Sequence, residues 1–189
     1  MKKIAIYSLI AVSAVTILSF IPKKEIAKAG TDYNVVTEYS KIEWVGSKKS
    51  GFHTGTFGIK SGAVQVDNGK LTGGKFTIDL TSVKVTDGAG ERLEGHLKNK
   101  DFFEVTVNTE AVYEITNVSY SGASTANVEG KLTMKGITMP VNFTAQIRNA
   151  DDKKFFGQAY FSIDRTQWGI NYNGPSNDVQ LSIHLFANK

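Results

Sequence analysis

The stretch Val128–Arg148, VEGKLTMKGITMPVNFTAQIR, reads as two strands about one turn. Val128, Leu132 and Met134 alternate with Glu129, Lys131, Thr133 and Lys135. After the Lys135-Gly136 punctuation, Val141, Phe143, Ala145 and Ile147 alternate with Asn142, Thr144, Gln146 and Arg148. A period of two places the apolar set on one face and the polar set on the other, the habit of antiparallel strands with one dry and one wet side.

The same rhythm extends outward from this pair. Ile42 and Trp44 oppose Lys41 and Glu43; Phe76, Ile78 and Leu80 oppose Thr77, Asp79 and Thr81; Val179, Leu181, Ile183 and Leu185 oppose Gln180, Ser182, His184 and Phe186. Asp67-Asn68-Gly69-Lys70 puts Asn-Gly between two β-rich runs, a strong hairpin signal because both central residues tolerate positive φ. Only the segment Ala89–Phe103 breaks the period. There Leu93, His96 and Leu97 fall at i, i+3 and i+4, with Glu91 and Glu94 early and Lys98 and Lys100 late. That pattern predicts a short amphipathic helix of two or three turns laid on a sheet. Roughly eight strands and one helix point to a closed barrel or a sandwich, and a barrel leaves no sheet edge exposed.

The chain opens with Lys2 and Lys3, an uncharged run from Ile4 to Ile21, and Ala27-Lys28-Ala29-Gly30. These are the parts of a secretory signal peptide cleaved after Ala29, which leaves one domain over residues 30–189. The competing reading is an uncleaved anchor, since the run is near the lower limit of about 17 residues for a spanning helix. Pro22 and the small residues favour cleavage and a periplasmic or secreted location. Of 22 basic and 18 acidic side chains the leader holds five lysines and one glutamate, which leaves 17 of each. The basic pI thus belongs to the leader, and no dense Lys/Arg cluster remains to meet a nucleic acid. With no cysteine, stability rests on burial and hydrogen bonding alone.

Signals for chemistry are weak. The three histidines, His53, His96 and His184, lack the spacing that brings metal ligands together, because Glu91 and Glu94 lie five and two residues before His96. No Gly-x-Ser-x-Gly elbow occurs. Aromatic and aliphatic residues instead recur at inward positions: Trp44, Phe57, Phe76, Phe143, Phe161 and Trp168, with Phe102 and Phe103 after the helix. An eight-stranded barrel is either packed solid by such residues or holds one small ligand, and both readings stand on composition.

SKIEWVGSKKSGFHTGTF, HLKNKDFFEV, GKLTMKGITMPVNF and FSIDRTQWGINYN, in this order and spacing, resemble the YceI-like family of exported bacterial proteins over about Asp32 to Asn188. The resemblance implies an all-β fold, an extended eight-stranded antiparallel lipocalin-like barrel with a short capping α-helix. It also implies binding of a long apolar ligand (a polyisoprenoid, a quinone-like lipid or a fatty-acid derivative) for transport, storage or stress response. It implies no catalysis, cofactor or metal, and it brings the expectation of a homodimer. On this reading the apolar wall is Trp44, Phe57, Phe76, Ile78 and Leu80, continued by Phe102, Phe103, Phe143, Phe161 and Trp168. His53, His96 and Arg165 form a polar rim for a head group. For Arg165 a salt bridge to Asp164 or Asp178 is the equal alternative, and for Phe57 and Trp168 it is an end plug. A packed scaffold, or an enzyme acting on such a lipid through His53 or His96, are the readings to set against a binder.

Overall fold

A computed structural model of the chain describes residues 30–189. The expected signal peptide, 1–29, lies outside the described residues. The strands are β1 (Thr31–Val35), β2 (Lys41–Lys48), β3 (Gly51–Asp67), β4 (Lys70–Val85), β5 (Glu110–Tyr120), β6 (Thr125–Met134), β7 (Ile137–Ala150), β8 (Lys154–Asp164) and β9 (Pro175–Asn188). A helix α1 (Gly90–Lys98) joins β4 to β5, and a 3-10 turn, Arg165–Trp168, follows β8.

Each strand from β2 to β9 pairs antiparallel with its sequence neighbour, and β9 returns to β2, so eight staves close on themselves. Nine strands make eight staves because β1 and β2 share one. β1 pairs with β3 at Thr31↔Val66 and with β9 at Asn34↔Asn188, beyond the end of β2. The break at 36–40 is stitched to β9 by Ser40, whose Oγ donates to Phe186 O at 3.2 Å and accepts from Phe186 N at 3.0 Å. Burial of Ser40 leaves no water to satisfy those groups, so the exchange of bonds is what permits the interruption.

The alternation that opened the sequence is the barrel's inside-out rule. β6 runs buried–exposed from Ala126 to Leu132, with Val128 and Leu132 in the core and Glu129 and Lys131 outside. That polarity is the reverse of an outer-membrane barrel, whose apolar band faces outward. Two hairpins hold the register. Asn68 and Gly69 have φ of 50° and 72°, and Lys135 and Gly136 have 51° and 74°. Both are two-residue turns with positive φ at each centre, matching strand twist. β3 has 17 residues, about 55 Å of strand at roughly 3.3 Å per residue, so the interior is tall.

One irregularity shapes the capped end. The β3–β4 register passes from Thr56↔Lys84 to Gly58↔Asp79, so Leu80–Val83 bulge opposite Phe57. The bulge drives Leu80 and Val83 inward, 2 % and 0 % exposed. Its freed donors find partners: Leu80 N donates to Thr109 O at 2.9 Å, and Gly58 N to Ser82 Oγ at 2.8 Å. α1 lies along this part of β4 and buries Leu97. Glu94 is also buried, although its position implied a wet face. Its carboxylate accepts the Val85 N–H at 3.0 Å and a bond from Lys84 Nζ at 3.4 Å, so it docks the helix to the strand end.

Gly55 sits opposite Val85 beneath the Trp44 indole. A Cβ there would stand 2.0 Å from Lys84 O and 2.2 Å from the Trp44 ring. Because the first contact is backbone, Gly55→Ala is expected to lower unfolding free energy by about 1–3 kcal/mol. Urea denaturation with an unchanged m-value checks this.

Candidate functional site: a two-chambered barrel interior

The inward side chains do not close the axis. They leave a lower chamber of about 130 Å³ and an upper chamber of about 170 Å³. Ile42, Ile78, Leu132, Ile163 and Leu181 line both, so one waist joins them. For scale, a cavity of about 150 Å³ lined by Leu, Ile and Phe stays dry and admits benzene.

All eight staves contribute to the lower chamber. Phe143 and Phe161, neighbours on β7 and β8, stack at 4.5 Å, and Tyr113 tilts onto Phe143 at 5.6 Å. Tyr113 Oη donates to Val141 O at 2.9 Å, and burial pushes its phenol well above the ordinary range. Tyr113 and Gln158 are the polar side chains of a lining otherwise made of apolar residues and Gly157. A cargo here meets hydrocarbon and ring surface and no directional chemistry.

The upper chamber opens at the capped end. Its wall takes Trp44 from β2, Phe57 from β3, Leu80 from the bulge, Leu93 and Leu97 from α1, and Phe102 and Phe103. Consecutive Phe102 and Phe103 both serve because the chain there is a turn rather than a strand, with Phe103 N bonded to Leu97 O. Phe57 and Phe103 meet edge to face at 5.3 Å. Nine of the ten expected wall residues thus line one or both chambers.

Trp168 is the exception. It is 1 % exposed, its Nε1 donates to Leu132 O at 3.1 Å, and it lines neither chamber. A buried indole usually finds an acceptor, and Trp168 takes the carbonyl of the waist residue Leu132, packing in the core behind the chamber wall.

The expected rim divides three ways. Arg165 borders the upper chamber, and no aspartate forms an ion pair with it among the described residues. Its donors go to four backbone carbonyls: Ser176 O at 3.0 Å, Tyr172 O at 2.8 Å, Pro175 O at 3.0 Å, and Ile170 O. The rigid fork ties the 169–176 loop to the barrel end, in place of the salt bridge to Asp164 or Asp178. His96 lies off the chamber lining, edge-on between Phe102 at 5.0 Å and Tyr172 at 4.8 Å. Its buried Nε2 has no partner among the described residues. It braces two rings rather than serving as a hydrogen-bonded tip.

His53 does face the mouth. It pairs across the hairpin with Gly46, and it lines the upper chamber beside Lys48. Its Nδ1 lies 3.0 Å from Asp87 Oδ2. Asp87 also accepts the Ala89 N–H at 2.9 Å and the Thr54 N–H at 3.0 Å. Those two amides and His53 hold its carboxyl below the usual range against the opposing pull of desolvation. In the neutral ring, Nδ1–H points at Asp87 and Nε2 offers a lone pair to whatever enters.

The third histidine, as bonded, does not activate the neighbouring Ser182 as a nucleophile. Arg148 Nε donates to Gln158 Oε1 at 2.9 Å, so the Gln158 amide nitrogen donates to His184 Nδ1 at 2.9 Å. Nε2 then carries the ring proton, 3.0 Å from Ser182 Oγ. The hydroxyl accepts from the imidazole and is not deprotonated by it, a tautomer assigned from the bonding network.

Asp87 gives a signed pH dependence. A carboxyl lowered in the folded state contributes stability above its unfolded pKa, near 4, and loses it as pH falls through the folded value. The melting-temperature advantage of the wild type over Asp87→Asn is expected to be constant at neutral pH and to shrink below about pH 4. A constant gap down to acid pH would contradict the assigned bonds.

Comparison with known proteins agrees with this architecture. A YceI-like domain model matches residues 33–187. A UPF0312 protein of Pseudomonas fluorescens is 29 % identical over 163 residues, covering 82 % of this chain and 84 % of its own. One from Pseudomonas putida is 31 % identical over 155 residues, covering 77 % and 80 %. Among solved structures, Burkholderia cenocepacia BcnA superposes with a TM-score of 0.71 at 22 % identity, over 81 % of this chain and 99 % of that one. A polyisoprenoid binding domain from Saccharophagus degradans, implicated in plant cell wall breakdown, gives 0.66 at 15 % identity, over 85 % and 99 %. Those two likenesses speak to the fold; the matched domain model, spanning β1 to β9, settles the kinship. This chain belongs to the YceI-like family.

Proposed function

We propose that this chain is an exported carrier or store for a long apolar ligand, a polyisoprenoid or another long-chain lipid, held lengthwise in the barrel. The observation that carries the reading is the pair of oily chambers joined at the Ile42–Ile78–Leu132–Ile163–Leu181 waist. Protein interiors hold few voids larger than a water molecule. Volume on this scale costs stability at about 24 cal/mol per Å³, or on the order of 7 kcal/mol for both chambers. That is a large share of the roughly 5–15 kcal/mol that stabilises a domain. A core serving as scaffold alone has no reason to forgo it.

The lining suits a prenyl chain. Each five-carbon unit moved from water gains about 4 kcal/mol at roughly 0.8 per carbon group. Three units, about 12 kcal/mol, reach the micromolar range when association costs about 4 kcal/mol, the low end of about 4–15, and a longer chain does so at a higher cost. Rings such as Phe143, Phe161 and Phe57 give contact area with little rotamer entropy to lose. His53 meets the polar end at the mouth. The leader Met1–Ala29 supports export, and the polyisoprenoid binding of the Saccharophagus domain, named for that protein, supports the ligand class.

Native mass spectrometry and solvent extraction of protein purified without detergent are expected to reveal a bound apolar molecule. Leu181→Trp, which fills the waist, is expected to reduce that load at least tenfold, as each 1.4 kcal/mol of lost contact is tenfold. A full load in Leu181→Trp would place the ligand elsewhere, and an unloaded wild type that takes up no added prenyl lipid would end the proposal.

A further inference from the structure

We propose that the β2–β3 hairpin tip, Lys48–Phe52, seats the mouth of the upper chamber on an anionic lipid bilayer, so that a lipid passes between bilayer and barrel without crossing water. The proposal rests on the lipid-binding reading above. Its starting point is a residue that folding does not explain. Phe52 is 63 % exposed, at the tip of a hairpin whose next residue, His53, lines the chamber. A lone exposed ring is ordinary, but this one has company. Six large hydrophobic side chains are exposed among the described residues, and four of them belong to the capped end.

Those four are Phe52, Tyr172, Val107 and Ile137. Tyr172 packs on Phe102, a wall residue, at 5.2 Å. Val107 lies in the loop between α1 and β5. Ile137 follows the β6–β7 turn, its Cδ1 3.9 Å from where a Cβ on Gly169 would stand. The apolar tips therefore gather where the chamber opens, while Tyr39 and Tyr160 lie away from it.

Charge selects the partner. Lys48 and Lys49 have no carboxylate within 4.0 Å among the described residues, and no acidic residue occurs from Trp44 to Val66. Three nearby acids are engaged, Asp87 by His53, Glu94 by Lys84 and Glu104 by Lys135, while Glu91, Asp101 and Asp178 form no ion pair with either lysine among the described residues. Two free lysines flanking an exposed phenylalanine match an interface in which the ring enters the acyl boundary and the ammonium groups stay among anionic headgroups. Each such lysine strengthens attachment to an anionic surface about fivefold. Contact at the mouth also removes an obstacle to exchange, since every methylene that must enter water lowers the population of the crossing chain about fourfold.

The test compares the wild type with a Phe52→Ala/Lys49→Glu double variant, neither residue lining a chamber. Cosedimentation uses vesicles of phosphatidylcholine alone and of phosphatidylcholine mixed equally with phosphatidylglycerol. Farnesol binding without vesicles is measured in parallel. The wild type is expected to bind the anionic vesicles, to lose them in molar salt, and to bind at least tenfold more tightly than the double variant. Farnesol affinity is expected to be equal in both. Equal vesicle binding by the two proteins would overturn the proposal. So would farnesol binding without vesicle binding, which leaves the chamber reading intact. Farnesol bound by neither protein would remove the chamber reading and this proposal together. A protein partner cross-linked through position 52, with no vesicle attachment, would assign the surface to that partner and overturn the bilayer.

Discussion

The constraint on which the structure depends is barrel closure at eight staves. Strand number sets the width, and eight is the count at which side chains can just fill the interior or just fail to. In this chain the inward positions are mostly mid-sized: Val, Ile, Leu, Ala and flat rings stacked against the wall, such as Phe143 on Phe161. Ala145 and Ala159, opposite one another on β7 and β8, and inward Gly157 hold the lower wall back from the axis. The unfilled volume follows from that choice, and ligand capacity follows from the volume.

Closure also decides where polar groups go. Inside, they are few: Tyr113 is bonded to Val141, while the buried Trp44 Nε1 in the upper-chamber wall has no partner among the described residues. At the capped end they hold backbone, where Arg165 clamps a loop and Glu94 fastens α1 to β4; away from that end Ser40 stitches the broken stave. Once those are accounted for, His53 and Lys48 remain at the mouth with groups to offer. Recognition is concentrated at one rim above a non-directional interior, so ligand length and apolarity count for more than head-group detail.

Much of this was legible in the sequence, because a period of two is a direct consequence of strand geometry. The Val128–Arg148 alternation became β6 and β7, Asn68-Gly69 became a two-residue turn, and the Leu93/Leu97 stripe became α1. The wall was legible for the same reason: inward phase identifies Trp44, Phe76, Ile78, Phe143 and Phe161 before any coordinates. Attention to rings obscured aliphatic residues in the same phase. Ile42, Leu132 and Leu181 form the waist and carry the inward alternation as clearly as the aromatics do.

What stayed hidden depends on long-range partners. Arg165 and His96 look alike in sequence as polar residues near an opening. Four carbonyls from the 170–176 segment claim one, and two rings enclose the other. Asp87 gave no local sign, because its importance comes from a histidine 34 residues away. The bulge did leave a trace, in that the inward spacing jumps from Leu80 to Val83, but an uninterrupted strand reads almost the same.

The central claim is that apolar cargo completes the core, and calorimetry over a series of isoprenoid alcohols of increasing length tests it most directly. Affinity is expected to rise with each added unit until the chain spans both chambers and then to level off, with a negative heat-capacity change that grows in step. Affinity and heat capacity that do not vary with chain length would mean that nothing enters past the rim.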